Sequence, residues 1–416
     1  MHARSIRNAA VVAAVTGAIA AFLAHPGVVF HAARRGAEIW GTVVFPATLP
    51  FLILAELSLG LGIPHFFGVM LQPIMRPLFR LPGPASFALT VGLASGYPMT
   101  ARLAVRMREA GALTRTEGER LVAFATTADP VFLTAAVAVG FFHAPAYAAV
   151  LASVHYGTAI ALGILFRFYG DRRDERVPSA APRTPGELIA RAFQAMDDAR
   201  RADGRPFGRL LSDGVEGALA TTFLIGGLLI FFSVLMALLE TAGGMAALVG
   251  VAAFAGSLLG LPEAVAPALA RGLFEVTLGA EAAAAAAVPP EVRLQAVSAI
   301  LAWAGGSVQA QVGALIARSD LRFRPFFLAR ILHAVLAAAV FRLAWRFWAH
   351  LNPDLAAPAP AIFAVAPPLP PPAVALAAGE RLAVAGALLI LASGLVLAVT
   401  ALTAAAGRWR RSRPEA

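Results

Sequence analysis

The chain has 416 residues, 59% of them apolar and only 14% charged, with a mean hydropathy of +0.74. Soluble domains average roughly 45–50% apolar and about 25% charged, so a soluble globule is excluded and an all-α polytopic membrane protein embedded in a lipid bilayer is expected. A crossing of the ~30 Å hydrocarbon layer needs about 20 residues, which sets a ceiling of about twelve helices; breaks at Pro, Gly and Arg lower the expectation to about 8–10, some of them broken or re-entrant.

No Cys is present, which removes disulfides, thiolate nucleophiles and thiolate metal sites. The eight His are dispersed, there is no His-Glu-x-x-His motif, and all 34 basic residues are Arg, so a phosphate-cradling loop with its Lys is absent. Neither a metal, a cofactor nor an enzymatic activity is expected. The net charge of +10 comes from Arg spread among hydrophobic runs and their connecting loops, which fits membrane-flanking charge and argues against a nucleic-acid partner.

In chain order, residues 1–27 form an N-terminal membrane helix in which Arg4 and Arg7 precede the apolar run Ala9 to Ala24. This start resembles a secretory signal, but the whole chain is membrane-like and an uncleaved first span is expected. Residues 28–168 form a first half. Its opening segment, His31 to Trp40, is amphipathic and suits the membrane interface. An apolar helix containing Glu56 follows, then a stretch from Phe66 to Leu81 interrupted by Pro73 and Pro77. Between Ser86 and Phe142, apolar runs of ten to thirteen residues alternate with polar breaks, too short to span and suited to broken helices. A full helix from Pro145 to Phe168 closes this half.

Residues 169–213 are a charged cytoplasmic loop. Counted from Arg167 to Asp213, ten Arg face eight acidic residues, and a short amphipathic helix is expected around Pro185 to Ala202. The second half, 214–350, holds apolar segments from Gly217 to Glu240 and Met245 to Leu261, a helix start at Pro289-Pro290-Glu291, and a long helix from Pro325 to Trp348. A Pro/Ala-rich loop at 351–378 and a C-terminal membrane helix with a basic tail at 379–416 complete the chain. That last span has Arg381 on one side and Arg408, Arg410, Arg411 and Arg413 on the other, which places the C-terminus in the cytoplasm. The orientation of the N-terminus is a tie.

Sliding the chain by 210 positions lays Gly96 over Gly306 and Arg120 over Arg330. Two weakly related, inverted halves, each with a broken helix, point to a solute site at the membrane midplane. The breaks are the natural places to bind, because they free backbone groups that protein, water or ligand must satisfy. At Ser95-Gly96-Tyr97-Pro98, Gly permits a positive φ and Pro pre-sets the next helix, whose N-terminus favours an anion. Thr100 adds a hydroxyl and Arg102 a charge. A plain structural kink is the alternative there. In the second half, Gly305-Gly306-Ser307 is followed by Gln309 and Gln311, whose two-residue spacing sends one toward the ligand and the other toward a neighbouring helix. Thr127 and Asp129, and Glu275 with Thr277, put carboxylates at membrane depth, where they face a cavity, an ion or an Arg. Asp129 could equally be an interfacial turn residue, Glu275 could pair with Arg271 one turn earlier, and Glu56 could pair with Arg76. Gly256 and Gly260 form a weak helix-packing pair.

Five blocks, FPATLPF, LASGYPMTARL, GERLVAFATTADPVFL, GLFEVTLG and GGSVQAQ, occur in an order and spacing that resembles the YlbJ-type sporulation integral membrane proteins, also called stage V sporulation protein V. The resemblance covers about Trp40 to Leu343. It implies the nucleoside-recognition or Gate domain, shared with nucleoside transporters, the ferrous-iron transporter FeoB and the spore maturation proteins. It also implies a transporter of a small organic anion, dipicolinic acid, across the outer forespore membrane during endospore formation. The family's Ser-Gly-Phe-Pro block falls on Ser95, Gly96, Tyr97 and Pro98, and its Gly-Gly-Gln block on Gly305, Gly306 and Gln311. Thr127, Ala128 and Asp129 stand where the family usually has Asn and Ser-Gly, and Leu278 where it often has Asn. Transport of nucleoside-like solutes, or a non-transporting assembly role, are the alternatives. The sequence does not address oligomeric state.

Overall fold

The computed structural model describes residues 2–170 and 184–351, and all described regular structure is helical. The Pro/Ala-rich loop and C-terminal span expected beyond residue 351 lie outside the described residues, as does 171–183 of the charged loop.

Helix α1 (His2–Ala24) leads into α2 (Pro26–Ile39), with Pro at its first position, where a missing N–H costs nothing. The segment from His31 to Trp40 is not a separate interfacial helix. It runs through a five-residue π turn, Trp40–Val44, into α3 (Phe45–Gly60), giving one 35-residue rod, Pro26–Gly60. Pro46 and Pro50 each remove a backbone donor, and a wider π turn just before them accommodates the fault without ending the helix. Gly62, at φ 77°, turns the chain into α4 (Ile63–Ile74), which ends in a second π turn, Met75–Phe79.

Then come the short pieces. Helices α5 (Ala85–Ser95) and α6 (Tyr97–Glu109) meet at Gly96, and α7 (Arg115–Ala125) is followed, after an extended break, by a π helix at Phe132–Phe141. A capping box fixes the start of α7: Thr114 Oγ1 accepts from Glu117 N at 3.2 Å and Glu117 Oε2 from Thr114 N at 3.0 Å. The full-length α8 (Tyr147–Phe166) closes the half. The charged connection supplies α9 (Pro185–Asp203), capped by Thr184, whose Leu188 and Ala192 pack inward beside α4.

The second half follows the same order. Helix α10 (Phe207–Thr241) is again 35 residues long, and then come α11 (Gly244–Leu258), the pair α12 (Ala266–Phe274) and α13 (Val276–Ala284), the pair α14 (Pro290–Trp303) and α15 (Gly305–Ile316), and the full-length α16 (Phe323–Leu351). The starts Pro26, Ile63 and Ala85 recur as Phe207, Gly244 and Ala266, 181 residues further in each case. This interval replaces the 210 suggested by Gly96 and Gly306. Those two glycines share a chemistry but belong to different breaks of their halves.

The halves are inverted. Gly36 packs against Ser233, Trp40 against Gly226, Glu56 against Gly214 and Gly60 against Leu210, so the two equivalent 35-residue rods lie antiparallel. Among the described residues, five segments are long and apolar enough to cross a membrane: Pro26–Gly60, Tyr147–Phe166, Phe207–Thr241, Pro290–Ile316 and Phe323–Leu351. Shorter apolar helices, including Ala85–Ser95, Phe132–Phe141 and Gly244–Leu258, fill the space between them.

A buried tether holds each half together. Buried Arg120 on α7 donates to the carbonyls of Arg80 (3.2 Å) and Tyr169 (2.7 and 2.9 Å), and buried Gln295 on α14 donates to those of Leu259 (3.2 Å) and Ala338 (3.0 Å). At the α9 end the halves are riveted by charge. Glu119 accepts from Arg322 N, Nε and Nη2, each at 2.9 Å, and from the Tyr169 hydroxyl at 2.8 Å, while Arg108 grips Asp320 through two bonds of 2.8 and 2.9 Å. Burial alone would push the Glu119 carboxyl up, but the hydrogen bonds from Arg322 and Tyr169 outweigh it and hold the group below its ordinary range.

Candidate functional site

Four breaks interrupt the short helices, and each must satisfy the backbone groups it frees. Two do so with a carboxylate from the chain itself. Asp129 Oδ1 accepts from Val131 N (3.0 Å) and Phe132 N (2.8 Å), capping the π helix, and Glu275 Oε2 accepts from Leu278 N (2.8 Å), capping α13. Thr277 Oγ1 donates to the other Glu275 oxygen at 3.1 Å, and Glu275 is only 6% exposed. Among the described residues neither carboxylate forms a salt bridge, so the pairing of Glu275 with Arg271 is not made. Asp129 is a helix cap, not an interfacial turn residue.

The other two breaks carry no side-chain cap. Gly96 adopts φ 81°, ψ −171°, a region that essentially only Gly tolerates, and a Cβ there would lie 3.3 Å from Asp129 Oδ2. Ala304 and Gly305 are both left-handed, at φ 71° and 75°. A Cβ on Gly305 would sit 3.0 Å from Val276 N, so this break rests against the break at Glu275, as Gly96 rests against Asp129. Each half thus pairs one break capped by a carboxylate with one left open.

All four converge on a cavity of about 150 Å3. Its polar wall comes from Ser95, Gly96, Tyr97, Pro98, Asp129, Glu275, Thr277, Ser307 and Gln311. The opposite wall belongs to the antiparallel rods: Val44, Thr48 and Leu52 on one, Thr221, Leu224, Ile225 and Leu228 at mid-length of α10 on the other. Thr48 and Thr221 also hydrogen-bond within their own helices.

The remaining residues expected to bind lie elsewhere. Arg102 is exposed on α6 and does not line the cavity, because its position is a turn and a half past the break and on the outer face of the helix. Thr100 is buried and donates to Ala125 O at 2.8 Å, tying α6 to α7. Thr127 is buried beside the break with its hydroxyl unpartnered. Gly305 and Gly306 abut the carbonyls of Leu273 and Phe274 and serve close helix crossing. Gln311 lines the cavity, whereas Gln309 donates to Trp303 O at 3.2 Å. Glu56 packs beside Gly214 and Gly217, while Arg76 lies 3.7 Å from Glu117, so those two are not partners.

Behind the cavity lies a cluster that motif reading passed over. Arg330, 0% exposed, donates through Nη1 to Thr126 O (2.8 Å) and Ala302 O (3.2 Å) and through Nη2 to Ala123 O (2.6 Å), with its guanidinium 5.5 Å above the Phe326 ring. These carbonyls end α7 and α14, the helices that run into the second break of each half, so one cation faces two negative dipole ends. Arg330 Nη1 also lies 3.2 Å from His333 Nδ1; a guanidinium only donates, so Nδ1 is the acceptor and the ring proton sits on Nε2, 3.1 Å from His155 O. His155 Nε2 accepts from Ala128 N at 3.0 Å, Tyr156 donates to Ala128 O at 2.9 Å, and Tyr97 donates to Leu301 O at 2.9 Å. Ionisable residues inside apolar helices were the available signal.

Residues 42–171 match the Gate family, described as nucleoside recognition. Over 327 residues, 79% of this chain and 80% of its relative, the sequence is 40% identical to the sporulation integral membrane protein YlbJ of Bacillus subtilis (strain 168). The chain belongs to the YlbJ family of sporulation integral membrane proteins. Its Gate match spans the first half of the repeat, from α3 through α8. Two solved structures of CNTnw also align: an inward-facing substrate-bound state at 14% identity, covering 85% of this chain and 87% of that one, and an outward-facing state of a substituted form at 13%, covering 84% and 87%, each with a TM-score of 0.44. In this member of the YlbJ family the Ser-Gly-Tyr-Pro block, Asp129 and Glu275 border one cavity.

Proposed function

We propose that this protein moves a small organic anion across the membrane through the cavity between the four breaks, and that the solute is dipicolinic acid. The observation that carries this reading is the pair of uncapped helix N-termini, at Gly96 and Gly305, in a cavity at mid-length of a 35-residue membrane rod. Such termini turn a positive dipole end toward a carboxylate, although in the first turn of α6 Pro98 has no N–H and Met99 N donates to Gly96 O at 3.3 Å. A volume of about 150 Å3 suits one small ring, well under the ~300–1,000 Å3 of pockets for drug-sized ligands.

Among the described residues no basic side chain lines the cavity, whereas Asp129 and Glu275 do. A dianion therefore enters with its charge balanced by protons or accompanying cations. The carboxylates also support a second reading, a nucleoside-like solute whose hydroxyls donate to Asp129. The family membership supports a site of action in the membranes of the developing spore, and the Arg-rich C-terminus supports a cytoplasmic tail.

Uptake of labelled dipicolinate into proteoliposomes tests the proposal. Uptake above that of empty vesicles, unaffected by excess nucleoside, is the expected result; none above empty vesicles refutes it, and competition by nucleosides favours the second reading.

A further inference from the structure

A second cavity, of about 450 Å3, opens at the end of α10 remote from α9, between α2, α10 and the α12–α13 pair. Its centre near Met236 is about eleven residues beyond Ile225 of the midplane cavity, or ~16 Å at ~1.5 Å per residue. The two cavities share one partition. Glu275 and Thr277 border the midplane cavity, and Arg271, Leu278 and Glu281, on the same pair of short helices, border the outer one.

Its charges do not cancel evenly. Arg35 and Glu281 form an ion pair at 2.9 Å and neutralise each other. Arg271 is half-buried and, among the described residues, its side chain meets no carboxylate or other partner. Its place in the last turn of α12 suits that helix's dipole but leaves its donors unused. Glu240 stands exposed at the rim, where water screens it more than it screens Arg271. His31 adds a further donor to the wall.

Ser233 borders the cavity but does not offer its hydroxyl to it: Oγ is buried at the crossing of α10 with α2, where a Cβ added at Gly36 would come within 2.7 Å of it.

We infer that this vestibule is a second binding site, which takes the carboxylate of a small organic acid on the Arg271 guanidinium. A guanidinium pairs with a carboxylate through two parallel N–H bonds. The site stands apart from the midplane cavity and does not require that cavity to carry the solute.

Because the chain has no Cys, Ala237→Cys places a unique thiol in the vestibule wall. The purified full-length protein is modified with sulfonatoethyl or trimethylammonioethyl methanethiosulfonate, with or without pyridine-2,6-dicarboxylate. The anionic reagent is expected to react at least about threefold faster, and the dicarboxylate to slow it. Arg271→Gln removes both effects, and Gln311→Ala changes neither. Equal reagent rates, a preference that survives Arg271→Gln, or no protection by the dicarboxylate would overturn the inference. Protection without proteoliposome uptake would instead leave the vestibule standing and remove the transport reading.

Discussion

The two kinds of helix break solve one physical problem in opposite ways. At Asp129 and Glu275 the chain supplies its own carboxyl oxygen to the N–H groups of the following helix. At Gly96 and Gly305 it supplies none. The first kind is complete without a guest and serves as scaffold; the second is left for something else to complete. The inverted repeat places one of each in both halves and brings all four to one cavity.

The largest effect is expected behind the comparison, at the cation that serves both halves. Arg330→Ala strips three buried carbonyls of their donor. At about 1–3 kcal/mol per unsatisfied group, thermal unfolding in detergent should move down by many degrees, and an unchanged midpoint would remove Arg330 as the tie between α7 and α14. Next, Gly96→Ala forces a side chain into a backbone region that costs it about 1–3 kcal/mol and against Asp129. Uptake should fall severalfold while Gly227→Ala, at an open position, leaves it unchanged.

The capped breaks should respond to shape more than to charge. Glu275→Gln keeps an oxygen to accept from Leu278 N and should fold nearly as well as wild type, whereas Glu275→Ala loses a cap worth about 0.5–2 kcal/mol. Equal melting points for the two variants would show that the cap contributes nothing. Glu119 offers a pH test at the α9 end. Its folded-state pKa is depressed, so its contribution is present above the unfolded value of about 4.3 and is lost as pH falls toward the folded one. Wild type should exceed Glu119→Gln by about 2 kcal/mol at neutral pH, the scale of one hydrogen bond to a charged group, and the gap should close in acid. The smallest effect belongs to Arg102→Ala, which should leave uptake unchanged because Arg102 faces away from the cavity.

Much of this was legible in the residues. Hydropathy marked the membrane helices, Pro and Gly marked the breaks, and runs too short to cross marked the broken pairs. Three things were hidden. The repeat interval was hidden because Gly96 and Gly306 look alike though they sit in different breaks, and only the lengths of the elements reveal 181. The role of Arg102 was misjudged because nearness in sequence does not say which face of α6 a residue occupies. The Arg330, His333 and His155 cluster was hidden because its partners are backbone carbonyls and an amide, which carry no signature in the sequence.

The central claim, that the open breaks hold the solute between themselves and the rods, is tested most directly by a unique thiol in the rod wall. Leu228→Cys lines the cavity, and Leu343→Cys lies on the exposed surface of α16. Dipicolinate should slow the alkylation of the first several-fold and leave the second unchanged. Equal rates at Leu228→Cys with and without dipicolinate, in protein that retains uptake, would contradict the account.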